Sequence, residues 1–217
     1  MIDYRLKVLQ QPELPDNWLP KVKHQVRLEV DEYYDDSFLI DLLKMAYQYI
    51  VERADIAILE TRFRMTLQCL PSSTYVAIRL PRPELVSVQQ IKYVDCNGAD
   101  QIMAPEDYRV GQAFGQITLT RNLNCWPQTQ TGIPDAVEID YTAGKGEDQV
   151  PQFMQALRLL VGHWYRHRED TLEVRLEKIP HGVDTLIEQM RPGDEFAQVF
   201  QTLPRSTYYR YGYGYGY

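Results

Sequence analysis

The stretch 36-DSFLIDLLKMAYQYIVERADIAI-58 has the apolar spacing of an amphipathic helix. Its apolar positions recur three or four residues apart, and polar residues fill the opposite stripe. Asp35, Asp36 and Ser37 suit a helix N-terminus, where capping groups and negative charge are favourable. We expect a long helix near residues 36–60 that buries the following side chains: Leu39, Leu42, Leu43, Ala46, Ile50, Ala54 and Ala57.

Helical patterns return after residue 150. The segment 151-PQFMQALRLLVGHWYRHRED-170 begins with a proline suited to a first helical turn and has one continuous apolar face. A shorter helix is predicted near residues 183–191, where Pro192 and Gly193 end the pattern. Another short helix is predicted within residues 19–28. We expect the two long helices to pack on each other.

Between the helices the apolar period changes from helical spacing to alternation. The segment 62-RFRMTLQCL-70 alternates strictly, and short strand-like runs continue to residue 143. Asn97-Gly98 lies between two such runs and predicts a hairpin with a type I′ turn. The sequence therefore predicts an α+β fold: a helical core, an inserted antiparallel β-rich lobe near residues 62–143 with about five or six strands, and an extended C-terminal tail.

Composition limits the classes of function. The 217 residues carry a net charge of −7, which argues against a dedicated nucleic-acid binder. Three widely spaced cysteines support neither a disulfide framework nor a zinc knuckle. The N-terminal residues lack a signal-peptide pattern, and no apolar run is long enough to cross a membrane, so no membrane partner is expected.

No residue pattern in the sequence indicates a catalytic site. His163 and His167 are four residues apart, but a zincin helix needs Glu after the first histidine and position 164 is Trp. The segment 142-TAGKGED-148 lacks the spacing of a phosphate loop and is better explained as a turn between strand and helix. We therefore assign no catalytic, cofactor-binding or metal-ligating residue and expect a protein that is not an enzyme.

The end of the chain, 208-YYRYGYGYGY-217, alternates tyrosine and glycine. In an extended strand the tyrosines would share one face and the glycines would leave the other face bare, so the segment could approach another backbone closely. Tyrosine also offers the large, wet-edged contact area typical of interfaces. The residues predicted to bind a partner are Tyr208, Tyr209, Arg210, Tyr211, Tyr213, Tyr215 and Tyr217.

An ordered set of segments resembles the head-tail connector, or adaptor, proteins of tailed bacteriophages. The segments occur in the family's order between about residues 20 and 191, although each alone is generic. They are 23-KHQVRLEVDEYYDDSFLIDLLKMAYQYIVERA-54, 78-IRLPRPELVSVQQIKYVDCNGADQ-101, 105-PEDYRV-110, 138-EIDYTAGKG-146, 150-VPQFMQALRLLVGHWYRHRE-169 and 179-IPHGVDTLIEQMR-191.

The resemblance implies a structural virion protein at the head-tail junction, assembled in the host cytoplasm. It implies a ring of twelve copies beneath the portal protein, next to a tail or head-closure protein, with viral DNA passing through the lumen without specific binding. The family usually stops soon after the segment like 179–191, so the position of the terminal tyrosines is not inherited. We interpret residues 1–191 as a connector domain with an inserted lobe, and 192–217 as a tail that docks on the portal.

One alternative stays open at this point. A tail or baseplate protein could use the β-rich lobe to contact a host glycan or another virion protein. That hypothesis predicts an exposed aromatic groove on the lobe, with Trp126 as a candidate lining residue.

Overall fold

The computed structural model describes residues 4–29, 31, 33–71, 78–82, 84–111, 116–119, 126–167 and 181–191. These residues form a helical unit and a β-rich lobe, each with its own apolar core. The predicted α+β class with antiparallel strands is confirmed. The helices in the described residues are α1 (Trp18–Val26), α2 (Asp36–Ala54), α3 (Pro151–Arg166) and α4 (His181–Met190).

Helix α3 is the centre of the helical unit, because α1, α2 and α4 all pack against it. Its Phe153 ring lies 5.3 Å from that of Trp18 on α1, and both side chains are fully buried. Every predicted apolar position of α2 within the helix is buried. The spacing of the apolar residues therefore predicted correctly which face of α2 is buried.

Helix α2 ends at Ala54, earlier than the predicted boundary near residue 60. Asp55 adopts a left-handed conformation with φ 55°, a conformation that Asp tolerates better than most residues. The guanidinium of Arg82 donates to the carbonyls of Val51 and Ile56, which occupies acceptors at the helix end. The apolar pattern continued past the boundary because Ala57 is buried in the core of the lobe instead.

The other helix boundaries differ by smaller amounts. Helix α4 begins at His181, two residues before the predicted start, and ends at Met190. Helix α3 ends at Arg166, whereas the prediction extended to 170; residues 168–170 lie outside the described residues. The short helix predicted within 19–28 is confirmed as α1.

The acidic residues at the start of α2 do not cap it with their side chains. The Asp36 carboxylate instead lies 2.6 Å from Nζ of Lys23, which is 2% exposed in the last turn of α1. Asp35 accepts a hydrogen bond from the hydroxyl of Tyr165 on α3. Both carboxylates therefore connect helices, and the negative charge still lies at the helix end where the macrodipole favours it.

The lobe contains two antiparallel sheets within the described residues. The larger has strand order β1-β2-β8-β4-β5 and the smaller has order β3-β7-β6. Seven of these strands fall in the predicted lobe, more than the expected five or six. The strands are β1 (Tyr4–Gln10), β2 (Thr61–Leu67), β3 (Ile78–Arg79), β4 (Leu85–Val94), β5 (Asp100–Ile102), β6 (Tyr108–Gly111), β7 (Gln116–Leu119) and β8 (Val137–Ala143).

Strand β1 was not predicted, although 4-YRLKVLQ-10 alternates apolar and basic residues as an edge strand does. It pairs antiparallel with β2 and forms one edge of the larger sheet. The lobe therefore includes residues from the N-terminus as well as the inserted segment.

Tyr141 of β8 lies in the lobe core, stacks on Phe63 and donates to the carbonyl of Pro81 at 2.7 Å. Burial raises the pKa of the Tyr141 hydroxyl.

The predicted hairpin forms between β4 and β5, but its turn is not type I′. Gly98 has φ 84°, whereas Asn97 is not among the described residues with positive φ. The Gly98 N–H donates to the Asp95 carbonyl at 3.0 Å, and Asp95 N–H donates to Ala99 O at 2.9 Å. This is the pattern of a three-residue loop with a type I turn and a left-handed glycine. The Asp95 side chain favours it by accepting bonds from Asn97 and Ala99 N–H.

The helical unit and the lobe are joined by two backbone segments that lie side by side. The N–H groups of Lys145 and Gly146 donate to the carbonyls of Ala57 and Ile58 at 2.9 and 2.8 Å. A Cβ at Gly144 would lie 2.8 Å from the backbone of Glu60, closer than real Cβ contacts allow. Glycine is therefore required at 144 by close backbone approach.

We expect Gly144→Ala to destabilise the protein by about 1–3 kcal/mol, since the two segments must separate to admit a methyl group. Urea unfolding checks this. Gly182→Ala is the matched control: nothing lies within 4 Å of its added methyl group, so we expect it to be neutral or stabilising by up to about 1 kcal/mol. Equal stability of the two variants would contradict the packing argument.

Candidate assembly surfaces

The tyrosines predicted to bind a partner lie outside the described residues, as do all residues from 192 to 217. The structure does show where this segment begins. The guanidinium of Arg191 donates to the Arg53 carbonyl at 3.1 Å, and Arg53 lies 3.5 Å from Asp184 of α4. The chain therefore leaves α4 beside the C-terminal end of α2.

A groove of about 760 Å³ opens where the helical unit meets the lobe. One wall is the lead-in at residues 11–16 and the other is the face of α2 that carries Ile40, Tyr47 and Val51. Phe63 lines its lobe side. We call this the junction groove; its size is that of pockets that enclose ligands or peptide side chains.

The charged residues of the junction groove are mostly acidic. Glu13 and Asp16 are exposed on the lead-in, and neither has an ion-pair partner among the described residues. Glu52 adds a third carboxylate from α2. Of the two basic lining residues, Lys44 is exposed, whereas Arg82 is bound to the backbone of α2 and to Asp55 at 3.5 Å.

A second candidate surface includes residues before and along α2. Tyr33 and Tyr34, which precede the helix, are 73% and 94% exposed, and Met45, in the middle of the helix, is 58% exposed. Four apolar residues of α2 and α3 lie outside the main helical stripes, and their spacing left open whether they contact another copy or lie under the β-rich lobe: Phe38, Met45, Tyr49 and Leu159. The first two are exposed, whereas Tyr49 packs against the Trp164 ring and Leu159 packs on the helical core.

The outer face of the larger sheet is charged and cross-linked by ion pairs. Asp140 of β8 is 1% exposed and accepts two hydrogen bonds from the Arg64 guanidinium, at 2.6 and 2.9 Å. Arg64 also lies 3.1 Å from Glu138, and Arg62 lies 3.7 Å from Asp140. The bonds from Arg64, with smaller contributions from Gln90 and Arg62, hold the pKa of Asp140 below its usual value.

The two histidines considered for a metal site lie side by side at the end of α3. The His163 and His167 rings lie 4.5 Å apart, with His167 Nδ1 2.8 Å from the His163 carbonyl. Among the residues placed by the structure, no cluster of three or more potential metal ligands occurs. In that same part of the chain, no helix has the length and apolar character needed to span a bilayer.

Trp126 does not line an exposed aromatic groove on the lobe. It is 3% exposed and belongs to the core between the two sheets. The alternative hypothesis, a lobe that contacts a host glycan or another virion protein, predicted that Trp126 is exposed, and that prediction is wrong. A tryptophan in a loop between strands can fill a core as readily as a binding site, and the sequence alone did not distinguish the two.

Nine chains of solved structures are similar to this chain. One is the virion of a native gene transfer agent (GTA) particle, with 25% identity, a TM-score of 0.62, and coverage of 87% of this chain and 95% of that chain. The neck of an empty GTA particle computed with C6 symmetry has 25% identity and a TM-score of 0.64. The neck of a native GTA particle computed with C12 symmetry has 26% identity and a TM-score of 0.60.

Both neck structures match over 87% of this chain and 96% of their own chains. No family model matches the sequence, and neither does any curated protein. The neighbours are phage-like neck and virion structures, and the resemblance to head-tail connector proteins is confirmed on that basis.

We expect Asp140→Asn to lower the free energy of unfolding by about 1–3 kcal/mol at pH 7, because Arg64 loses a charged, nearly buried partner. The folded-state pKa of Asp140 is depressed. Its contribution is therefore present above the unfolded pKa of about 3.9 and is lost as the pH falls through the lower folded value.

Unfolding measured at several pH values checks this expectation. The difference between wild type and variant should shrink below about pH 4. Asp100→Asn is the control, because its 2.8 Å pair with Lys92 is exposed and should contribute no more than about 1 kcal/mol. A difference for Asp140→Asn that persists unchanged at low pH would contradict the assignment.

Proposed function

We propose that this chain is a structural neck protein of a phage-like particle and forms an adaptor ring between the portal and the tail. The observation that carries the proposal is the match to GTA necks over 87% of the chain and 96% of each neck chain. Similarity over nearly the whole length of both compared chains favours a shared architecture rather than a shared motif. Those necks were computed with C6 and C12 symmetry, which supports a closed ring, and the C12 symmetry supports twelve copies.

A closed ring needs one surface of each subunit to fit a different surface of its neighbour. Such a surface is offered by three large, exposed residues: Tyr33 and Tyr34 before α2, and Met45 on the helix. Aromatic residues and Met are enriched at protein interfaces. We propose that this surface is covered by the next subunit in the ring.

The ring completes the head and lines the channel through which DNA leaves. With a net charge of −7 per copy, an acidic lumen would weaken contacts with phosphates and allow passage without specific binding. The chain works by contact rather than by turnover. It takes its place in the virion at the head-tail junction, after assembly in the host cytoplasm, and a tail or head-closure protein binds its other side.

We propose that residues 1–191 form one connector domain. The lobe is inserted between α2 and α3, and its strands β2 and β8 pair along their full length where the chain enters and leaves it. Residues 192–217 form the tail, whose tyrosines dock on the portal. The segment begins beside the end of α2 and contains 26 residues, which can extend about 85 Å.

Removing residues 205–217 should weaken binding to the purified portal of the same particle at least tenfold, because the interface loses its aromatic anchors. Pull-down with immobilised portal measures this. A full-length variant with serine at Tyr211, Tyr213, Tyr215 and Tyr217 is the matched control for length, and should resemble the truncation. Undiminished binding by both variants would discard portal docking of the tail, and no binding by the full chain would contradict the adaptor role.

A further inference from the structure

The junction groove is an apolar surface that the described part of the chain leaves uncovered. Its α2 wall exposes Ile40, and its lobe end includes Val8, an exposed residue of β1. Exposed apolar grooves on soluble proteins generally mark binding sites. The groove therefore needs an occupant whose chemistry matches it.

An open strand edge adjoins the groove. Strand β1 lies at the end of the larger sheet and pairs only with β2 among the described strands. Such an edge offers unpaired N–H and C=O groups to an extended peptide. An occupant that is extended can bond to this edge and place alternate side chains in the groove.

The C-terminal residues fit both features. Strand β1 has seven residues, and Tyr211–Tyr217 also has seven, with tyrosine at every second position. Alternation would direct the tyrosines to the apolar side, and the glycines would allow the backbone to approach β1. A segment with large side chains at every position could not bring its backbone as close to β1.

The charges are complementary. The segment 204-PRSTYYRYGYGYGY-217 contains Arg205 and Arg210 and no acidic residue. The rim of the groove offers Glu13, Asp16 and Glu52. Opposite charges at a rim guide an encounter and fix its register.

The position of Arg191, which directly precedes the tail, makes its own subunit the favoured partner. Arg191 contacts Arg53, the residue after Glu52 of the groove. Twelve residues, 192–203, connect this point to Pro204 and can span about 40 Å. A tether of this length gives an effective concentration on the order of millimolar within one subunit.

We propose that the junction groove of the same subunit holds residues 204–217 through the open edge of β1 and the apolar wall of α2. The groove keeps the aromatic segment from associating with other copies before assembly. Its release toward the portal rests on the function proposed above; the binding in the groove does not.

A labelled synthetic peptide with the sequence of residues 204–217 tests this by fluorescence anisotropy. The chain lacking 204–217 should bind the peptide, and the full chain should bind it about a hundredfold more weakly because its own tail competes. A peptide of the same composition in which the tyrosines and glycines no longer alternate should bind at least tenfold more weakly. Equal affinity of the full and truncated chains would overturn binding within one subunit.

Two substitutions separate the groove from the rest of the surface. In the truncated chain, Ile40→Lys on α2 places a cation in the groove and should weaken peptide binding at least tenfold. Gln155→Lys changes an exposed residue of α3 outside the groove-lining residues and should change the affinity less than twofold. Circular dichroism confirms that both variants are folded. Equal losses, or no binding by the truncated chain, would overturn the proposal.

Portal pull-down with the same proteins keeps the two proposals distinct. Portal binding by the full chain, with no peptide binding by the truncated chain, overturns the groove proposal alone. Peptide binding in the groove without portal binding supports the groove proposal and overturns the proposed function.

Discussion

The close approach of two backbone segments, where the helical unit meets the lobe, determines how these two parts are arranged. Residues 57–60 leave α2, and residues 144–146 lead to α3; their hydrogen bonds and the absence of a side chain at Gly144 hold them together. Strands β2 and β8 continue outward from this point in full register. Because both covalent connections of the inserted lobe pass here, the contact fixes the lobe against the helices.

That arrangement explains which surfaces remain available. The helical unit and the lobe each bury their own core, so neither covers the space between the lead-in and α2. The junction groove is the consequence, and Arg82 lines it while binding the end of α2. The ion-paired sheet face is different, because the Arg64 guanidinium and the nearly buried Asp140 carboxylate already bind each other.

Periodicity was sufficient to predict the main elements, because the apolar positions of α2 and α3 and the alternation of β2 report directly on burial. It failed where tertiary contacts decide the local structure. The pattern of α2 runs on through Ala57, and only the contact of Arg82 with Val51 shows why the helix ends earlier. The turn at Asn97-Gly98 depends on Asp95, whose capping role no apolar period reveals.

The candidate surfaces were harder to predict. The exposure of Phe38 and Met45 on α2 followed from their positions outside the main apolar stripe. The burial of Trp126 and the existence of the junction groove depend on contacts between residues far apart in sequence. The acidic rim at Glu13 and Asp16 lies in a proline-rich lead-in with no periodicity, so its position beside α2 needed the fold.

The central claim is that copies of this chain close into a ring at the neck. Electron microscopy of purified particles, with the neck reconstructed at sufficient detail to place the α2–α3 pair, tests it most directly. The account predicts twelve copies in a closed ring between portal and tail. A single copy per particle, or a position elsewhere such as the baseplate, would contradict it.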